Sequence, residues 1–572
     1  MKDKIKKTIC LSLAFLFIIP SFCVFGANVG DKIDEVLSTD IVTYIEGVKV
    51  PSFNIAGRTA IVVENLNAKT LPFDVYYVDS SRTLYISDGR GGAKDFFHFE
   101  DSVSSAPIGT PVMDVLFTDI ETFYSGKRLQ SFNIGGLTCV YATDFAQLYG
   151  RYTWNEETRS VDIFRNKDEA RGESFSKDTE TKLTLKESFV DKGDITVRWG
   201  SPRTSHLIQG PENSYWAIEV SDNVNIEKYD SNLKYISSAK VKMELPIFGA
   251  FLAGEEYNYI AFGQVNEKYS DSLPIIKIVA YDKDFKKVKD ITIKDCKTSI
   301  PFDASNVSMA ENEGYLVLHT ARSQYEEANG MRPQTQLTVI VEKESWSVVN
   351  SLDKFQPNHT SHALKGFVKI DGGKIITANY SDTTPVRGAF LQKLDFDGNL
   401  LTTKPIFKVS GPDTANCTGA MLGGFEISDS SYIFALSSID QTLPTDYSDT
   451  GIEGINKEER DIYIVTTDKN GNNLNTQCLT YYSGANKSAS VPYLTPLENG
   501  RFMVLWQKFI GNENQIYTFC YAFLDRNGKL IGEVKQADGY LSDSCQPVEI
   551  DGMVTWYVNT ASGRTFYKVS AD

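Results

Sequence analysis

The residues with the most to offer chemically are few or unpatterned. The 572-residue chain has five histidines, His98, His206, His319, His359 and His362, and no H-x-H pair. A transition metal held by imidazole needs three or more such groups converging. His359 and His362 stand three apart in a polar stretch, but no third ligand is indicated, so loop histidines are the plainer reading. Neither a metal nor any other cofactor is expected. The G-x-S-x-G elbow that presents a nucleophilic serine is absent. Carboxylates are plentiful, with 74 Asp and Glu, and two of them flanking a glycosidic bond could hydrolyse it, yet no spacing singles out a pair.

Acidic clusters do recur, as Asp230-Ser-Asn232, Asp282-Lys-Asp284, Glu342-Lys-Glu344, Asp395-Phe-Asp-Gly398, Asp468-Lys-Asn-Gly471 and Asp525-Arg-Asn-Gly528. A calcium loop of the EF-hand kind needs alternating ligands and a distal Glu, and here the Gly comes too early. Asn-Gly and Asp-Gly are what tight hairpins require, because they accept positive φ. These clusters are therefore read as turns that position strands.

Bulk properties narrow the field further. Lys2, Lys4, Lys6 and Lys7 precede an apolar run from Ile9 to Ile19, then Pro20 and small residues at Gly26-Ala27. That is the pattern of a secretory signal, residues 1–26, and implies a secreted, extracellular or cell-wall-associated protein with no membrane association after cleavage. Six later cysteines, Cys139, Cys296, Cys417, Cys478, Cys520 and Cys545, are widely scattered and read as buried thiols, although secretion permits a pair such as Cys520 and Cys545. A formal charge of −16 argues against nucleic acid as a partner. Aromatic content of 12% with frequent Gly suits many short strands and tight turns.

Internal similarity organises the chain. Val36-Leu-Ser-Thr-Asp-Ile41 recurs 79 residues on as Val115-Leu-Phe-Thr-Asp-Ile120, and Ser52-Phe-Asn-Ile55 recurs as Ser131-Phe-Asn-Ile134. The copies end alike, in Val78-Asp-Ser-Ser-Arg-Thr-Leu-Tyr-Ile86 and Trp154-Asn-Glu-Glu-Thr-Arg-Ser-Val-Asp-Ile163. Alternation in Ile41–Ile45 predicts a strand, and residues 65–70 and 144–149 suit a brief helix. Each copy is expected to be a small α+β unit, a sheet folded on a helix and closed by a hairpin.

The pattern of strand, Gly-Lys or Gly-Val, S-F-N-I-G-G, then W-N/D-x-x-T-R-x-(V/L)-x-I resembles the copper amine oxidase N-terminal-like domain of bacterial surface and secreted proteins. The resemblance covers residues 36–87 and 115–164, under a fifth of the chain. It implies two tandem non-catalytic stalk domains, 27–87 and 88–164. The oxidase chemistry of that family needs a T-x-x-N-Y-(D/E) motif. The nearest match, Thr377-Ala-Asn-Tyr-Ser-Asp382, is one residue short and has Ser381 where an acid belongs. Amine oxidase activity is not expected.

From Arg165 to Glu180 nine of sixteen residues are charged, which reads as a solvated linker, 165–181. Beyond it a strand core recurs seven times at spacings of 44 to 70 residues: Tyr215–Ile218, Tyr259–Phe262, Tyr315–Leu318, Lys374–Thr377, Tyr432–Ala435, Phe502–Leu505 and Met553–Trp556. Each of the first six is followed by a second strand and an acidic turn. Four strands per repeat is the unit of a β-propeller, so the fold class expected is all-β dominated, a propeller over 182–572 with seven blades. The alternative is a set of β-sandwiches. The last copy stops before its outer strand, and Lys182–Leu185 or Asp194–Val197 is expected to supply it.

In a propeller, loops after the second strand share a face with the blade-to-blade links. That set is long here: 264–274, 322–336, 380–388, 440–460 and 507–515. Long loops gathered on one rim are the usual place for recognition. The candidate binding residues are Arg322, Tyr325, Arg332, Arg387, Asp446, Tyr447, Asp449 and Glu453; no catalytic residue is assigned. The reading reached is a non-catalytic extracellular binding or scaffold protein for a glycan or protein. The alternatives are a carbohydrate-active hydrolase or lyase, although sialidase-type Asp boxes are not seen, and a structural cell-wall component.

Overall fold

The computed structural model describes residues 28–67, 71, 73–88, 106–124, 127–156, 158–165, 170–171, 175–180, 189–190, 200–312, 314–413, 415–441, 452, 459–483, 485, 487–510, 513–560 and 563–572. The segment read as a secretory signal, residues 1–26, lies outside these residues. The chain divides into two compact units, residues 1–148 with 152–163, and 149–151 with 164–572.

In the first unit the two repeats do not form separate sheets. Each contributes three strands to one closed six-stranded barrel, Lys32–Leu37, Ser52–Ile55 and Arg58–Val62 from the first copy and Pro111–Leu116, Ser131–Ile134 and Leu137–Tyr141 from the second. Val36, Ile55, Val62, Val115, Phe132 and Cys139 fill its interior. The closing hairpins then cross over. Thr83–Asp88 of the first copy pairs in parallel with Glu121–Tyr124 of the second, and Ser160–Arg165 of the second pairs with Val42–Ile45 of the first. The expectation of one self-contained sheet per copy is thereby corrected, for a physical reason. A sheet of three or four short strands buries little apolar area alone, and exchanging hairpins gives both copies one core.

The repeated motifs now have roles. Asn54 and Asn133 each accept the backbone N–H of the Gly three residues on, Gly57 and Gly136. Arg82 bonds Asp119 at 2.7 Å and Arg159 bonds Asp40 at 2.8 Å, so the Arg of each closing turn meets the Thr-Asp-Ile aspartate of the other copy.

The second unit contains, among the described residues, seven antiparallel sheets in succession, spanning 205–242, 247–293, 298–348, 363–408, 420–478, 487–538 and 548–570. Strand alternation sends successive side chains to opposite faces, so each sheet packs on both neighbours. Ile218 and Ile226 of the first meet Phe251 and Phe262 of the second. Ile276 and Ile278 meet Leu316 and Val339, Val317 meets Val368, Ile376 meets Leu422, and Ile433 meets Val504. A last cluster joins Leu505 and Phe519 of the sixth sheet, Trp556 and Phe566 of the seventh, and Ala217 and Tyr229 of the first. The packing returns to its start, which is the architecture of a β-propeller.

The outer strand of the seventh sheet is Phe175–Glu180, in register from Phe175 opposite Val569 to Glu180 opposite Arg564. Ala170–Arg171 adds in parallel to the sixth sheet beside Lys535 and Gln536. The stretch read as a solvated linker is thus partly strand. Its charge density hid it, because an edge strand has one exposed margin and tolerates charge. Lys182–Leu185 and Asp194–Val197 lie outside the described residues, and the edge position they were expected to fill is already taken.

The acidic turns close third-to-fourth-strand hairpins. Asp230, Asp282, Asp468 and Asp525 each accept the backbone N–H groups two and four residues on with one carboxylate oxygen, at 2.8–2.9 Å. The residue three after each aspartate has positive φ, whether it is Gly471 and Gly528 or Leu233 and Phe285. The last two tolerate that strain because their side chains are buried against the ring.

Candidate functional site

The innermost strands set the geometry of the mouth. Each begins on the rim that also carries the blade-to-blade links, so residues just ahead of them crowd the axis. Arg203 and Thr204 precede Ser205–Gln209, Ile247 and Phe248 open Ile247–Ala253, and Lys365 lies near the start of Ala363–Asp371. Met421 and Gly423 open Ala420–Ile427, while Ser490–Tyr493 and Asp543–Ser544 lead into the inner strands of the sixth and seventh sheets. With Phe189 and Val190 these residues border a cavity of about 790 Å³.

Close approach makes the mouth. A Cβ at Gly200 would lie 2.6 Å from the Asn306 nitrogen and 2.8 Å from the Leu364 oxygen, so only glycine lets the chain pass the third and fourth sheets there. Ser544 ties the last link to the first strand, its hydroxyl accepting the backbone N–H groups of Thr204 at 2.7 Å and Ser205 at 2.9 Å.

Two cations face this space. Arg203 donates from Nη1 to Gln546 Oε1 and lies 5.3 Å from the centre of the Tyr493 ring. Lys365 Nζ lies 5.9 Å from the Phe367 ring centre. Burial, reinforced by the Arg203 charge, pushes the Lys365 amine down to about 7. The described lining has one carboxylate, Asp543, together with the hydroxyls of Ser201, Thr204, Ser490 and Ser544 and the rings of Phe189, Phe248 and Tyr493. Rings, hydroxyls and a small number of charges in a concave space are the ingredients of a ligand site.

The residues singled out from sequence lie elsewhere or inside. Arg322 is 0% exposed, donating to Thr298 Oγ1 at 3.2 Å and to the Asp353 carbonyl at 3.1 Å. Arg387 is 8% exposed, donating to the carbonyls of Ser410, Asp382, Ala415 and Cys417. Both are corrected from rim to interior: they cross-link links and loops whose carbonyls would otherwise be buried without donors. The Tyr325 ring is tilted 30° against that of Tyr269, and its hydroxyl donates to Asp271 at 2.9 Å. Arg332 is exposed and sits 3.4 Å from Glu326. Asp446, Tyr447, Asp449 and Glu453 lie outside the described residues. None of the four described candidates lines the axial cavity. The stretch 507–515 is no long loop either, since Phe502–Ile510 and Glu513–Leu524 run on as paired strands.

His359 packs edge-on against Phe355 with ring centres 4.8 Å apart, while His362 Nδ1 lies 3.2 Å from Asp382 Oδ1. That contact raises the His362 imidazole against the opposing effect of burial. Among the described residues no group of three metal-ligating side chains converges.

Sequence reasoning missed Arg203 and Lys365 because inner-strand lead-ins are the least repeated part of each copy. A signal existed in register alone: counting back one strand from each strand core reaches the axis.

No family model matches the chain, and no curated protein does so either. Among solved structures it is similar to one described as BBS1N in complex with ARL6DN, at 9% identity over 68% of this chain and 98% of that chain, with a TM-score of 0.34. The propeller assignment rests on the sheet order and the closed packing described above.

Proposed function

We propose that this is a secreted or cell-surface, non-catalytic binding protein whose propeller captures an extracellular glycan or protein at its axial mouth. The observation that carries the reading is the cavity of about 790 Å³ bordered by three aromatic rings, four hydroxyls and two cations. Its described lining holds one carboxylate, Asp543, whereas hydrolysis by the paired-carboxylate route needs two at a defined separation. Aromatic faces beside hydroxyls suit a sugar ring, whose C–H groups pack on the ring while its hydroxyls are hydrogen-bonded. The interlocked repeats act as a spacer of the copper amine oxidase N-terminal-like kind, and the N-terminal basic-apolar segment directs export.

A glycan array probed with the whole mature chain tests this reading. Retention of one glycan class, weakened by Phe189→Ala, is expected. Cleavage of a retained polysaccharide, abolished by Asp543→Asn, would instead make the protein a hydrolase or lyase.

A further inference from the structure

The axial cavity is electrostatically out of character with the chain around it. The protein carries a formal charge of −16, yet the described lining sets Arg203 and Lys365 against the single carboxylate of Asp543. Several cations elsewhere in the ring meet a carboxylate, and the buried Arg322 and Arg387 are taken up by hydroxyl and carbonyl oxygens. Lys343 meets Glu311, Lys369 meets Glu426, Lys469 meets Asp371 and Arg564 meets Glu227, all within 2.9 Å. Among the described residues Arg203 has Gln546 and the Tyr493 ring as neighbours, and Lys365 has the Phe367 ring; neither has a carboxylate at ion-pair distance. Two like charges lining one cavity with no carboxylate at ion-pair distance disfavour each other, and burial adds to that cost at Lys365. Such an arrangement makes physical sense when a ligand supplies the missing charge.

Building on the reading of the propeller as a glycan receptor, we infer that the mouth selects a carboxylated sugar, a uronic acid unit, with the carboxylate between Arg203 and Lys365 and the sugar ring against Phe189, the partly exposed ring of the lining. A guanidinium donates a fork of two hydrogen bonds to a carboxylate, and an ammonium adds a third donor. Uncharged sugars leave both cations unmatched, so discrimination comes from the charge and affinity from the rings. Binding also draws a proton. The charged and titratable groups on the described lining are Arg203, Asp543, Tyr493 and Lys365 itself. The Lys365 amine, held down to about 7 in the empty mouth by burial and by Arg203, is raised when an anion docks. Affinity is therefore full below pH 7 and falls as pH rises above it.

Titration calorimetry with the full mature chain tests this, using a galacturonate trimer, its methyl ester, and a peptide with a free C-terminal carboxylate. The trimer is expected to bind, with the ester weaker by roughly ten- to hundredfold, the range of a charge-assisted contact. Arg203→Gln and Lys365→Met are each expected to weaken the trimer by a similar factor. Lys365→Met should also abolish the pH dependence above 7 and the proton uptake seen in buffers of different ionisation heat. Lys365→Met keeps the stem of the side chain, and unchanged melting curves guard against misfolding. Equal binding of ester and trimer, with both variants silent, would overturn the charge selection while leaving the receptor reading intact. Tighter binding of the peptide would overturn the sugar. Failure of all three probes would overturn the inference, while the glycan array separately decides the receptor reading.

Discussion

Arg564 in the last strand donates from Nη1 to Glu227 Oε2 at 2.7 Å, bonding the seventh sheet to the first across a buried seam. Arg564 is 0% exposed. Around it Asn559 accepts from Nε at 3.0 Å and donates to Glu219 at 2.8 Å, and Tyr557 donates to the Ile218 carbonyl at 2.9 Å. Burial is the main influence on Glu219 and raises it, while Arg564 pulls it back. Removing one partner of a buried pair leaves the other charge unmatched, at a cost of about 3–5 kcal/mol. Glu227→Ala is expected to lose about 3 kcal/mol, the low end, because Glu219 still lies 3.8 Å from Nη2. Urea unfolding followed by tryptophan fluorescence measures it, and a loss under about 1 kcal/mol would show that the seam does not depend on the pair.

A second expectation concerns where the propeller starts. A chain cut to 182–572 lacks Phe175–Glu180 and leaves the Gly563–Ser570 edge unpaired. At about 0.5–1.5 kcal/mol net per hydrogen bond, losing this strand costs about 3 kcal/mol or more relative to a chain beginning at residue 165. The shorter chain should also aggregate through its open edge. Equal melting temperatures for the two would show that the ring is held without its N-terminal strand.

What could be read from sequence follows the strength of the local pattern. The second strands of the sheets, such as Tyr259–Phe262 and Phe502–Leu505, are central, buried on both faces and bounded by obligatory turns, so they stand out in the sequence. The Asp-x-Asn-Gly turns were legible because positive φ and carboxylate capping restrict residue choice. Phe175–Glu180 was not, since its pairing partner lies almost four hundred residues away in sequence and nothing local betrays it. The exchange of hairpins between the two repeats was equally invisible, because Arg82 and Asp40 give the same motif whether they meet within one copy or across two. The mouth was missed for a related reason: Arg203, Lys365 and Asp543 come from three separate lead-ins that only ring closure brings together.

The exchange makes each repeat dependent on the other. Residues 28–88 alone carry three of the six barrel strands and a hairpin whose partner belongs to the second copy. Expressed by itself, this segment is expected to be unfolded or to dimerise by mutual exchange, whereas 28–165 folds as a monomer. Light scattering with circular dichroism distinguishes the cases, and a folded monomer of 28–88 would contradict the interdependence. The crossed pairs themselves matter less. Arg82 and Asp119 are both well exposed, so Asp119→Ala is expected to leave the melting curve nearly unchanged.

Acid sensitivity should trace in part to His319, which is 1% exposed between the third and fourth sheets. Its Nε2 lies 2.7 Å from Asn379 Oδ1 and its Nδ1 2.9 Å from Thr338 Oγ1. Burial pushes the imidazole down to about 4, against the smaller opposing influence of Asn379. An unfolded chain protonates its histidines near pH 6.5. Above that value the ring is neutral in both states and its contribution to stability is complete. Between about 6.5 and 4 the unfolded state alone takes up the proton, so stability falls with pH, by about 3 kcal/mol at the lower limit. Burial pushes the His206 imidazole down to about 4 as well, so His319→Gln, which keeps a hydrogen-bonding side chain without the titration, is expected to make this part of the curve shallower rather than flat, even if it lowers stability throughout. Urea midpoints collected from pH 4 to 7.5 for the native chain and the variant check it; parallel curves would mean that His319 is not the group being protonated.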